Sequence, residues 1–473
     1  MSIRCLSGVV LVLLSLTAGP QTDAHAQDGG WKAGVAKAVI TPDEPIWMAG
    51  YGNRTHPAEG KETELWIKIV ALEDASGKRA VVLTSDTLGI PQAMYNNVCA
   101  AVMQKFEIPR SRVMLHCSHT HCGPVLRAAL LDIYPLNAEE SQKISAYSAG
   151  LEKTIVETIG TAIERLTPAR LFAGQGQATF AVNRRNNLEP EVPQLRAQDK
   201  LKGPVDHAVP VLVVRAPDGK TNRAVVFGYA CHNTTLSYYK WCGDYAGFAQ
   251  MALEERHPEL TAMFYSGCGA DQNPLPRRTV ELSKGYGKRL ADAVDRVLAQ
   301  PMTQLKPTLE ASLELVKLNL GPEPTREELT QMAFAKPSYT QRWAARLLKQ
   351  LDAGKPFFRT YPYPVQVWQL GNQQMWITLG GEVVVDYSLG FKKAYGKDLW
   401  VAGYCNDVMA YIPSLRVLEE DVPPQRSSRW GYEGNRSMMV YGMPCHRWKT
   451  DVEELIAASV KRQIYKVTED EAP

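Results

Sequence analysis

The sequence predicts an α/β fold, with a mixed β-sheet core covered by helices. Three observations carry that expectation. Short apolar runs rich in β-branched and aromatic residues alternate with longer segments of helical period. One of those segments, 142–166, sets Ile144, Leu151, Ile155, Ile159 and Ile163 along a single helix face. The apolar runs also stop repeatedly in short polar bursts that contain His, Asp or Glu.

Taken along the chain, "WIKIVALE" (66–73), "AVVLTS" (80–85) and "RVMLHC" (112–117) read as strands, with a helix at 91–106 between the last two. The long helical pattern spans 139–166. "VPVLVVR" (209–215), "AVVFGYA" (224–230) and "AMFY" (262–265) are strands, interleaved with helices at 247–256 and 283–299. The segment 321–358 is a polar excursion with one helix at 327–351, closed by Gly354 and Pro356; it reads as a solvated helical hairpin in preference to a cover over a cleft. "QVWQL" (366–370), "MWITL" (375–379) and "LWVAGY" (399–404) are strands, and helices follow at 383–395 and 452–462.

The first residues, "MSIRCLSGVVLVLLSLTAGPQTDAHAQDGG", join a basic Arg4 to an apolar stretch and an Ala24-His25-Ala26 cleavage pattern. They predict a signal peptide over 1–26 and export to a bacterial periplasm or the extracellular space. One domain is expected over 27–466, with an acidic tail over 467–473. A hydrophobic content of 45% with 22% charged residues is ordinary globular composition. Lys and Arg total 53 against 50 Asp and Glu, so no basic face for nucleic acid is implied. No later apolar run is long enough to span a membrane. The scattered cysteines form no CxxC pair and read as small buried residues.

Six strand ends carry polar bursts, at Asp86, His119 and His121, His232, Asp271, Glu382, and Asn406 with Asp407. Ligands of open α/β sheets bind at strand carboxyl ends, so a shared metal site is expected there. If 118–121 is extended, the two imidazoles of "SHTHCGP" project to one side. They then share a metal or divide the roles of ligand and proton carrier. His232 is the best third imidazole. His56, His207, His257 and His446 have weaker settings, and His116 is expected to be structural. Glu382 follows Gly380-Gly381, a tight turn that lets backbone approach closely.

With these elements in view, the chain resembles the neutral (alkaline, non-lysosomal) ceramidases. The resemblance rests on "AGVAKAVITP", "WMAGYG", "SHTHCGP", "FAVNRR", "ACHNTT" with "CGDYAGFA", "GCGADQNP", "GGEVVVDYS", "GYCNDVMAYIPS" and "RWGYEG", all in the family's order. It implies a Zn2+-dependent hydrolase of an N-acyl amide, with His119, His232, Glu382 and Tyr411 as metal ligands. It implies His121 as proton carrier and Arg184 and Tyr432 as groups that polarise the amide. A small-molecule, lipid or glycan-type substrate follows; the oligomeric state stays open.

Three departures stand out. Asn273 occupies the position of the family's serine, which implies attack by zinc-bound water. The family's C-terminal β-sandwich domain is not expected in this chain. Tyr238, Tyr239, Trp241 and Arg277–Arg278 surround the site with polar and aromatic groups that suit a sugar-like substrate. Two other readings therefore accompany the first. One is a zinc-dependent esterase, lactonase or deacylase on a carbohydrate-type substrate. The other is an inactive periplasmic binding protein on the same fold.

Overall fold

The computed structural model describes residues 30–421 and 431–468. The predicted leader at 1–26 and residues 469–473 of the predicted tail lie outside the described residues.

Nine strands form the larger sheet. Its order is Thr261–Ser266, Asn222–Tyr229, Ala208–Arg215, Thr167–Gln177, Trp31–Val39, Trp66–Glu73, Arg79–Ser85 and Val113–Cys117, with Thr303–Leu305 also paired to Thr167–Gln177. Arg79–Ser85 runs parallel to Val113–Cys117, and Asn222–Tyr229 parallel to Thr261–Ser266; the other pairs are antiparallel. A second sheet holds Leu309–Asn319, Thr360–Leu370, Gln374–Leu379 and Trp400–Ala402 in that order.

Alternation along the strands sets the layers. Ile67, Ile69, Val81, Leu83 and Leu115 face Met94, Val98, Leu151, Ile155 and Ile159 on helices Gln92–Phe106 and Ala138–Glu164. The intervening Val70, Leu72, Val82 and Met114 face the other way. There they meet Trp368, Trp376 and Trp400 of the second sheet in one apolar cluster. The outer face of the second sheet, with Val365, Val367, Ile377 and Leu379, is covered by helices Val385–Tyr395 and Val452–Thr468. Two sheets thus pack face to face between helical layers, and both faces of the central strands are buried. Their near-continuous apolar sequences follow from that.

All nine expected strands are present, eight of them within a few residues of the expected bounds, while the one expected at 366–370 begins already at Thr360. The expected helix at 327–351 is two helices, Arg326–Ala333 and Tyr339–Asp352. Pro337 cannot continue the first, and Ser338 caps the second by accepting from the backbone N–H of Gln341. This hairpin is not merely solvated. Leu329, Trp343, Ala344 and Leu347 are fully buried, Trp343 donates to Met443 O, and Arg346 pairs with Asp132. The strand expected at 399–404 ends at Ala402, because Tyr404 and Asn406 take left-handed backbone angles and the chain turns out of the sheet.

Candidate metal centre

His119 and His121 are not on an extended segment as expected. The strand ends at Cys117, and His119 has a φ of 56°. The left-handed turn still brings the two imidazoles together, with Nε2 atoms 3.3 Å apart. The ring nitrogens of His119, His121 and His232 form a group within 4.8 Å of one another.

Two of the three imidazoles, His119 and His232, are held from behind. Nδ1 of His119 lies 2.6 Å from Leu88 O, and Nδ1 of His232 lies 2.9 Å from Gly269 O. A ring that donates Nδ1–H to a carbonyl presents a bare Nε2, the tautomer a metal binds. Both Nε2 atoms point at Glu382 Oε2, at 3.2 Å from His119 and 3.0 Å from His232. Tyr411 Oη lies 3.3 Å from His232 Nε2. Tetrahedral donors about 2.0–2.1 Å from zinc stand roughly 3.3 Å apart, so these spacings fit such an ion. Glu382 Oε2 is buried, and the two imidazoles are its polar neighbours among the described residues, so a cation placed between them would meet all three donors.

The backbone explains the convergence of distant residues. Glu382 and Tyr411 are paired in the short parallel ladder Glu382–Val383 with Tyr411–Ile412. His232 N donates to Gln272 O, and Arg184 N to Asp271 O. Arg54, buried, donates to His121 O at 2.6 Å and so fixes the corner after His119. Gly50 lies against His121, where a Cβ would stand 2.4 Å from its Nδ1.

Charge states suit a cation. Burial pushes His232 down to about 4, and burial with the neighbouring imidazoles holds His121 well below its ordinary value. Burial alone would raise Glu382, but the His119 and His232 imidazoles outweigh it and hold the carboxyl well below the usual range. Burial raises the Tyr411 and Tyr432 hydroxyls. The centre therefore offers neutral His121 and His232 imidazoles and an ionised Glu382 carboxylate.

It opens into a cavity of 510 Å³ lined by His121, Arg184, His232, Asn273, Tyr411 and Tyr432, among others. Arg184 donates Nη2 to Tyr411 Oη at 3.3 Å and Nε to Glu433 Oε1 at 2.9 Å. The Tyr432 ring lies 5.2 Å from that of Tyr411. All eight residues named in advance as ligands or catalytic groups therefore meet at this one place.

Other expectations fail. Asp86 accepts from Trp66 N, Asp271 from Val385 N, and Asn406 Oδ1 from Leu115 N, so these strand-end groups tie backbone rather than enter the centre. Trp241 is in the core, Tyr238 packs on that core, and Tyr239 stacks on His56; only Arg277 of that aromatic and basic group lines the cavity. His116 is structural as expected, with Nδ1 2.8 Å from Cys405 Sγ and its ring stacked on Trp376. The eight cysteines of the described residues are buried and free of disulfides.

Asp407 lies apart from the centre, bonded by Tyr361 Oη at 2.6 Å, and burial pushes its carboxyl up to about 7. A carboxyl raised on folding binds its proton more tightly in the native state. Its contribution therefore falls as pH rises from about 4 to about 7. Asp407→Asn keeps an acceptor for Tyr361 and removes this titration. Thermal melts across pH 5–8 are expected to show a flatter profile for the variant and a higher Tm than the parent at pH 8.

Tyr441 is a site residue that sequence reasoning missed. It lies in "VYGMPC", with no polar burst to mark it, and its hydroxyl donates to Glu382 Oε1. Tyr441→Phe is expected to weaken metal affinity by about 10–100-fold, the usual cost of losing an outer partner, with little change in metal-free Tm. Chelator competition measures the first and a thermal melt the second.

A family profile described as neutral/alkaline non-lysosomal ceramidase, N-terminal, matches residues 31–267. A neutral ceramidase of Pseudomonas aeruginosa is 32% identical over 183 residues, which cover 37% of this chain and 26% of that protein's length. The crystal structure of a neutral ceramidase from Pseudomonas aeruginosa superposes with a TM-score of 0.65 at 18% identity, over 92% of this chain and 75% of that one. A ceramidase complexed with C2 gives a TM-score of 0.64 at 18% identity, over 92% and 76%. At these identities the structural likeness shows the shared α/β fold. His119, His121, Arg184 and His232 fall inside the profile match, while Asn273, Glu382, Tyr411 and Tyr432 lie beyond it.

Proposed function

Because the chain belongs to the neutral/alkaline non-lysosomal ceramidase family, we propose that it is an exported, zinc-dependent hydrolase of an N-acyl amide bond. The convergence of His119 Nε2, His232 Nε2 and Glu382 Oε2, each imidazole locked by a backbone carbonyl, carries this reading. Export rests on the leader sequence at 1–26, and no helix among the described residues is long and apolar enough to cross a membrane.

His119, His232, Glu382 and Tyr411 would hold the zinc ion. When bound, it supplies a Lewis acid for the acyl carbonyl and lowers the pKa of a water to about 7. The other groups act on the substrate. Asn273 has no nucleophilic atom, so the attacking oxygen comes from water. That oxygen bonds to the carbonyl carbon, the C–N bond breaks, and the acyl group leaves as a carboxylic acid whose proton passes to the freed amine, giving carboxylate and ammonium. His121, neutral and with an unbonded Nδ1, takes up the water's proton and returns it to the departing nitrogen. The Arg184 guanidinium, the Tyr432 hydroxyl and the Asn273 amide are hydrogen-bond donors for the carbonyl oxygen as its negative charge develops. The intact donor set argues against an inactive binding protein.

The test is hydrolysis of a panel of N-acyl amides and esters by zinc-loaded wild type, by the chelated protein and by His119→Ala. Amide turnover by the wild type alone, restored on adding zinc back to the chelated protein, is expected. Amide turnover that survives both chelation and His119→Ala would overturn the reading.

A further inference from the structure

Behind the cavity, a cluster of buried charges closes on the backbone either side of Tyr432. Tyr432 follows Gly431, which has a φ of 95°, and opens the π-helical turn Tyr432–Arg436. Such turns are rare and occur frequently at functional sites. The fully buried Asp421 carboxylate holds this one at two points. Its Oδ1 accepts from Gly431 N at 2.7 Å and its Oδ2 from Gly434 N at 2.8 Å. A Cβ on Gly434 would stand 2.7 Å from Asp421 Oδ2, so the approach requires a glycine.

Arg185 braces the same carboxylate. Its Nη2 donates to Asp421 Oδ1 at 2.8 Å and its Nη1 to Asp421 Oδ2 at 3.3 Å, a two-pronged contact that fixes orientation as well as distance. Nη1 also donates to Glu433 Oε2 at 2.7 Å, and Nη2 to Glu420 Oε2 at 2.9 Å. The other oxygen of Glu433 accepts from Arg184 Nε at 2.9 Å. The Glu433 carboxylate therefore couples Arg184 to the turn that carries Tyr432. Arg185 belongs to the cavity wall, but its side chain is 1% exposed and its charge faces Asp421, Glu420 and Glu433. Stability alone is a poor reason for such a cluster, because apolar residues of the same volume are often as stabilising as a buried ion pair.

We propose that Asp421 and Arg185 are positioning residues for the hydrolysis. Asp421 sets Tyr432 over the centre, and Arg185, through Asp421 and Glu433, keeps Tyr432 and Arg184 in register. Neither residue donates to the substrate or moves a proton. The inference rests on the amide-hydrolase reading of the same centre.

The experiment measures kcat, KM and zinc content for the zinc-loaded parent, Asp421→Asn, Tyr432→Phe and the double variant, with a ceramide carrying a fluorescent acyl chain and the amide panel as substrates. Asp421→Asn is expected to lower kcat by about 10–100-fold, the cost of a misplaced group, with zinc content unchanged and KM within about twofold. In the Tyr432→Phe background the same substitution is expected to cost less than about threefold, because the group it positions is already gone. Arg185→Lys keeps the charge but not the fork, and takes the place of Asp421→Asn if that variant does not fold. Losses that multiply in the double variant, an unchanged kcat, or loss of zinc would overturn the inference. If the parent cleaves no amide, the hydrolase reading fails, and fluorine NMR of protein carrying meta-fluorotyrosine decides the positioning by itself. With the Tyr432 resonance assigned from Tyr432→Phe, a resonance that shifts or broadens in Asp421→Asn upholds the inference, and one that stays in place overturns it.

Discussion

Glu382→Gln is expected to leave the fold intact and to lower zinc affinity and kcat/KM by more than about 100-fold, beyond the 10–100-fold typical of outer partners. The substitution preserves shape, and the amide oxygen still accepts from Tyr441. What it removes is the negative charge of the donor set. That charge sits 3.2 Å from His119 Nε2 and 3.0 Å from His232 Nε2. The imidazoles and the protonated Tyr411 carry no negative charge to replace it. Chelator competition and steady-state rates measure the loss, and a melt of the metal-free protein checks the fold. A variant that binds zinc as the parent does would remove Glu382 from the centre.

Gly381→Ala is expected to destabilise the protein by roughly 2–5 kcal/mol, the sum of about 1–2 for a left-handed alanine and 1–3 for overpacking. Gly381 has a φ of 70°, and a Cβ there would stand 2.6 Å from Ala410 O and 2.7 Å from Ile412 Cγ1. Those atoms flank Tyr411 on the strand that pairs with Glu382. The chain must therefore shift where two proposed ligands are held in register. A displacement of about 1 Å at a reacting group costs on the order of 100-fold in rate, so activity is expected to fall with stability. Denaturant unfolding and kcat/KM at a temperature where the variant is folded separate the two effects. Unchanged stability would contradict the steric account.

Much of this was legible in the chain because the strands are buried on both faces. Runs such as "AVVLTS" and "AVVFGYA" stand out when both sides of the strand need apolar residues. Trp31–Val39 and Thr167–Gln177 were missed because their patterns are half polar or built on Ala and Gly, as in "WKAGVAKAV" and "TPARLFAGQGQ". Their strand character comes from the neighbours they pair with. At the centre, His119, His232 and Glu382 were visible as polar bursts on apolar strands. The same signal misdirected at Asp86, Asp271 and Asn406, since a carboxylate or amide that ties backbone at a strand end looks the same in sequence as one that binds a ligand. Tyr441 and Arg54 reach the centre from loops, and no spacing rule marks them.

The most direct test of the account is X-ray absorption at the zinc edge on the protein loaded with one equivalent of zinc. The account predicts two imidazole nitrogens and three oxygen donors, from Glu382, Tyr411 and a water, at about 2.0–2.2 Å, with one imidazole lost in His232→Ala. A protein that binds no zinc, or a coordination shell unchanged in His232→Ala, would contradict it.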